Sequence, residues 1–120
     1  MLTDEQLKAV EWIKENTERD AYVLASSSDA PWALGWSERR VIAPGLFEWD
    51  SHTKDEWFSF FESKDPQVAK EFLDVYGGSI YIYYSKNQNS YLGFLEKFTG
   101  DYFQKVYDGK AAVYMYREGS

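Results

Sequence analysis

The chain has 120 residues, a formal net charge of −7 and no Cys. Without Cys it forms no disulfide scaffold, zinc knuckle or thiol nucleophile, and its negative charge argues against non-specific binding to nucleic acid or anionic lipid, each of which needs a positive field. A chain of this length is one domain and buries roughly two thirds of its unfolded surface, enough for a core without metal or cofactor.

Thr3-Asp4-Glu5-Gln6 is a capping box, in which Thr3 and Gln6 exchange side-chain-to-backbone hydrogen bonds, and Leu2 and Leu7 are placed for a hydrophobic staple across it. Leu7, Val10 and Ile13 recur at helical spacing, so the first helix runs to about Asn16. Ala21 to Ala25 is a buried strand. Ser26-Ser27-Ser28-Asp29 is a loop that caps a short helix, with Pro31 in its first turn. Arg40 to Ala43 is a second short strand, and Pro44-Gly45 ends it.

Thr53-Lys54-Asp55-Glu56 is a second capping box and opens a helix carrying Trp57, Phe58, Phe60 and Phe61. Asp65-Pro66 opens the next, with Asp as cap and Pro at the first helical position. Val68, Ala69, Phe72, Leu73 and Tyr76 form its apolar stripe, and Gly77-Gly78 stops it. Ser79 to Tyr84, β-branched and aromatic, is a strand. Lys86 to Ser90 is a polar loop and Tyr91 to Phe98 a short helix. Phe103 to Tyr107 and Lys110 to Tyr116 flank Asp108-Gly109, the preferred two-residue type I′ hairpin turn.

Strands alternating with helices predict an α/β fold: a single small domain over residues 1–120, its mainly parallel sheet flanked by helices and closed by a C-terminal antiparallel β-hairpin. Ten Tyr, eight Phe and five Trp supply much apolar area, but Tyr and Trp each carry a polar tip that wants a partner. The expected core is therefore Phe, Leu, Ile and Val, with many Tyr and Trp half-exposed at its rim. No stretch reaches the roughly 20 apolar residues of a membrane span. Met1 to Arg19 is amphipathic and charged, unlike a signal peptide.

Chemistry is sparse. His52 is the sole His and stands beside Asp50 and Ser51 without a nucleophile motif. The acidic residues fall in first turns and on exposed helix faces, where they complement the helix dipole. No calcium-loop or Gly-rich phosphate motif is present, so neither metal nor nucleotide cofactor is expected. Ser26 to Arg40 stands out, because it follows the carboxyl end of the first strand, the edge at which open α/β sheets bind ligands. Ser27, Ser28, Asp29, Trp32, Trp36 and Arg40 are its candidate ligand-binding residues. Hydroxyls, a carboxylate and Trp faces suit a sugar, and an Arg beside helix amides suits a phosphate. A structural role accounts for the same residues: Asp29 or Ser28 as a cap, Trp32 and Trp36 packed on the sheet, and one Arg paired with a carboxylate. The tyrosines of Ser79 to Tyr84 could stack on bases or sugars, but packing on a sheet face suits them better.

Glu11-Trp12-Ile13-Lys14-Glu15-Asn16-Thr17, Asp20 to Leu24, Trp32 and Arg40-Val41-Ile42 form a pattern. It resembles the soluble carboxyl-terminal domains of GT-C-type membrane glycosyltransferases, archaeal oligosaccharyltransferase catalytic subunits among them. Tyr76 to Tyr84 and the closing Val106 to Gly109 and Val113 to Tyr116 resemble the ends of such domains. The WWDYG motif that reads the acceptor there is missing here: Ser26-Ser27-Ser28-Asp29-Ala30 holds its place, and only Asp29 could correspond. Acceptor-peptide recognition is therefore not carried over. The resemblance implies an extracytoplasmic, membrane-tethered domain accompanying a polyprenyl-phosphate-sugar-dependent transferase, whose catalytic acids lie in the membrane part. Its partner would be the glycan or acceptor of that transferase, faced by Asp29, Trp32, Trp36 and Arg40, with no nucleic acid and no cofactor. Two alternatives stand beside it: a stand-alone protein-interaction module using exposed Trp and Tyr, and a small hydrolase or transferase acting through Asp29 or His52.

Overall fold

Four strand segments of this chain point the same way, and a fifth runs against them. The structure, a computed structural model, describes residues 4–25, 37–42, 52–76, 79–85, 95–98, 102–108 and 111–117. Strands β1 (Tyr22–Leu24), β2 (Arg40–Ile42), β3 (Ser79–Ser85), β4 (Phe103–Asp108) and β5 (Ala111–Arg117) form one sheet in the order β2-β1-β3-β5-β4. β1 is parallel to both β2 and β3, while β5 is antiparallel to β3 and to β4. The fold is thus a small α/β domain, its parallel core extended by an antiparallel C-terminal hairpin.

Successive side chains of a strand point to opposite faces, and both faces are apolar. Leu24, Ile42, Ile80, Ile82, Tyr114 and Tyr116 build a core on one side, and Val23, Val41, Tyr81, Tyr83 and Val113 build a second on the other. Helix α1 (Asp4–Asn16) covers the second face with Ala9, Val10 and Ile13. Helices α2 (Lys54–Glu62) and α3 (Pro66–Asp74), with a 3-10 turn (Leu95–Phe98), cover the first. Near-continuous apolar strands are what a sheet buried on both faces requires.

The local signals that start α2 and α3 operate as read. Thr53 Oγ1 accepts from the Glu56 amide (3.2 Å), and Glu56 Oε1 accepts from the Thr53 amide (2.9 Å). Asp65 Oδ1 accepts from the Gln67 amide (3.0 Å), with Pro66 in the first turn. In α2 the buried residues are Trp57 and Phe60, with Phe61 packed at the edge. Phe58, one position off that stripe, is 64% exposed.

Three expectations change. First, Tyr81, Tyr83, Tyr114, Tyr116 and Trp57 are core residues rather than rim residues. Partners for the polar tips allow this: the Tyr81 hydroxyl donates to Glu18 Oε2 (3.0 Å), and the Tyr116 hydroxyl donates to Asp74. Second, the hairpin is not joined by a two-residue Asp108-Gly109 turn. Such a turn would pair Tyr107 with Lys110, whereas Tyr107 pairs with Val113 and Asp108 with Ala112. A register irregularity lies between Lys105 and Tyr107. One extra residue in a strand flips everything beyond it to the other face. Here it turns Tyr107 toward α1, where its ring lies 6.0 Å from that of Trp12. Third, within Tyr91 to Phe98 the described helical turn is the 3-10 segment Leu95–Phe98. The Thr3 capping box, the Ser26–Asp29 cap and the Pro44-Gly45, Gly77-Gly78 and Lys86–Ser90 signals lie outside the described residues.

Candidate functional site

Two places gather chemistry. The first is the carboxyl edge of the parallel strands. From β1 the chain goes to β2 on one side and later returns to β3 on the other. The point at which successive connections diverge is where open α/β sheets leave a crevice for ligands. The β1–β3 pair is that point, in the register Tyr22↔Ile80, Val23↔Tyr81 and Leu24↔Ile82. Ala25, whose amide donates to the Ile42 carbonyl (3.0 Å), closes the edge, and Ser26 follows it in the chain.

Of the six candidate binding residues, Ser27, Ser28, Asp29, Trp32 and Trp36 lie outside the described residues. Arg40 is described, and it sits at the opposite, amino-terminal edge, paired in register with Tyr22. Its guanidinium stacks on the Tyr22 ring (4.0 Å), donates to the Tyr22 hydroxyl (3.0 Å) and donates to the Asp20 carbonyl. The sheet therefore does not bring Arg40 to the edge from which Ser26 starts. Among the described residues its partners are a ring, a hydroxyl and a carbonyl.

Arg39 was not singled out by sequence reasoning, yet it has the denser network. It is buried, and it donates to the carbonyls of Lys14 (2.8 Å) and Thr17 (3.0 Å) and to Thr17 Oγ1 (3.0 Å). A helix leaves such carbonyls unpaired at its end, so Arg39, the residue before β2, caps the end of α1. Glu38, in the left-handed region at φ 58, pairs with Lys14 beside it (2.5 Å).

The second place is a groove between α2 and α3, about 360 Å³ in volume. Its floor is Phe60 and Phe72, stacked at 4.2 Å, and its walls include Asp55, Glu56, Val68, Glu71 and Val75. His52 lies at its end. The ring stacks on Phe72 (3.6 Å), and its side chain is 4% exposed. Nε2 donates to the Phe72 carbonyl (2.7 Å), and Nδ1 is 3.6 Å from Glu56 Oε2. The Phe72 carbonyl is accessible because the turn after α3 tightens, with the Tyr76 amide bonding Leu73 instead (3.1 Å). The Nε2 bond thus ties the residue before α2 to the last turn of α3. A general base needs a nitrogen aimed at a substrate proton, and Nε2 of His52 is committed to a backbone carbonyl.

Glu56 and Asp74 are the two carboxylates near these helices whose titration is displaced. Hydrogen bonds from the Thr53 backbone and side chain hold Glu56 below the usual carboxylate range. For Asp74, burial pushes upward, but hydrogen bonds from Lys70 and Tyr116 outweigh it and the net displacement is downward. Lys97 is fully buried, its Nζ 3.5 Å from the Phe61 carbonyl and 5.0 Å and 5.2 Å from the Phe60 and Phe98 rings. Among the described residues no group of three His, Asp or Glu side chains is gathered as a metal site, and no helix is long and apolar enough to cross a membrane.

Compared with protein families, curated proteins and solved structures, the chain matches none.

Proposed function

We propose that this chain is a binding domain without catalysis of its own, the extracytoplasmic companion of a GT-C-type membrane glycosyltransferase-like protein. The glycan or acceptor would lie at the carboxyl edge of β1 and β3. One observation carries this: the divergence of the sheet connections falls on β1, immediately before the segment rich in hydroxyls and Trp. Tethering would come from a part of the native protein outside this chain. The commitment of His52 Nε2 to the Phe72 carbonyl supports this reading over a hydrolase centred on that residue.

The test is a titration with oligosaccharides and sugar phosphates followed by tryptophan emission. Saturable change is expected, lost in Trp32→Ala and in Asp29→Ala while the melting temperature holds. An emission that stays flat through millimolar ligand would overturn the reading. The alternative of an interaction module draws support from the exposed Phe58, Val68 and Val75, although Trp57 is buried and cannot take part.

A further inference from the structure

We propose that the α2–α3 groove is the docking site for an apolar-anchored, positively charged segment of a protein partner. The site is independent of the carboxyl edge, and it would operate whether or not that edge takes a glycan.

The apolar surface of α3 and of the residue after it is only partly absorbed by the core. Ala69, Phe72 and Leu73 are buried, whereas Val68 is 36% and Val75, which follows the helix, 59% exposed. Val75 keeps helical backbone angles (φ −65, ψ −21), so at seven residues from Val68 it falls on the same side. Both line the groove over the stacked Phe60 and Phe72 rings. Removing that surface from water is favourable for any apolar side chain that fits between the valines.

Charge selects the occupant. Asp55 and Glu56 stand on one wall and Glu71 on the other, and among the described residues no Lys or Arg lines the groove. Glu56 is engaged in the Thr53 capping box, and Glu71 accepts from Gln67 Nε2 (3.4 Å) along its own helix; with Asp55 these carboxylates keep both walls of the groove negative. The complementary segment carries an apolar anchor flanked by Lys or Arg. The chain's net charge of −7 attracts such a segment and repels a second copy of itself, an anionic membrane and nucleic acid.

The probe is a short fluorescent amphipathic peptide with Leu on one face and Lys and Arg on the other, titrated against the full chain. An acidic counterpart with Glu in place of each base, phosphatidylserine vesicles and poly(U) serve as competitors. Expected are saturable binding that weakens with salt, and amide shifts on the unmodified chain centred on Val68 to Val75. Glu71→Lys and Val75→Gln should each weaken binding at least about tenfold, as for central contacts of an interface, while Lys105→Glu on β4 should leave it unchanged. The proposal fails if the basic peptide does not saturate, if the acidic peptide binds as well, or if vesicles or poly(U) are preferred. Shifts that map elsewhere, or variants that bind normally, overturn it equally. Because the shift map uses the unmodified chain, an unstable variant does not blunt the test, and the peptide readout is separate from the tryptophan response to sugars.

Discussion

Arg39 and Arg40 are neighbours in the chain and are separated by the sheet. Arg39, in the bend before β2, turns to the end of α1, while Arg40, the first residue of β2, lies over the Tyr22 ring. Nothing in an Arg-Arg pair announces that one of them caps a helix more than 20 residues earlier, as the separations of 22 and 25 residues require. Arg39→Ala removes a buried charge-assisted cluster and should cost about 3 kcal/mol in urea denaturation. Arg39→Lys should recover only part of this, because an ammonium cannot serve the three acceptors from one plane. Asp74 supplies a pH-dependent contribution. Its carboxyl is held below the usual range by Lys70 and Tyr116, so the unfolded chain takes up the proton first as pH falls. The stabilisation is complete above the unfolded value of about 3.9 and is lost as pH drops through the lower folded one. Asp74→Asn should flatten the acid limb of melting temperature against pH, and an unchanged limb would remove Asp74 from that role.

The elements themselves were largely legible. Caps and stripes involve residues within four positions of each other, so the sequence displays both partners at once. Thr53→Ala opens the α2 capping box and should cost about 1 kcal/mol, read as a lower melting temperature with the far-ultraviolet spectrum preserved. The hairpin shows where such local reading stops. Asp108-Gly109 is a strong turn signal, yet the strands pair Tyr107 with Val113 and Asp108 with Ala112. The irregularity after Lys105 brings the half-buried Tyr107 ring beside Trp12 of α1, a contact that a local turn signal does not display. Phe58 shows what residue type alone leaves open: among the four aromatic residues of α2, its angle on the helix puts it in solvent.

At the scale of the whole molecule, β3 is the strand on which the rest depends. It pairs with β1 on one side and β5 on the other, and its Ile80, Ile82, Tyr81 and Tyr83 feed both cores. Ile82→Ala leaves a void in a fully buried position and should cost about 3 kcal/mol. Backbone amides of β3 and β5 should exchange slowest with solvent, because they open only with the whole sheet. Faster exchange there than in α2 would show that the two layers unfold separately.

The sequence by itself determined the α/β alternation, the two capped helices α2 and α3, the strand segments and the exclusion of cysteine chemistry. Each of these is written in composition or in spacing over a single element. Only the tertiary structure decided what those elements bring together. It buried the tyrosines by supplying Glu18 and Asp74 as partners, and it placed His52 on Phe72 and Arg39 on the end of α1. It also parted Arg40 from the edge at which Ser26 begins. The physical reason is that these are contacts between residues 18 to 63 positions apart, whose meeting depends on strand order, and strand order is a property of the packed sheet rather than of any one segment. The groove between α2 and α3 belongs to the same class: Val68 is visible as part of the apolar stripe and Val75 is not, and that both are exposed is a fact of packing.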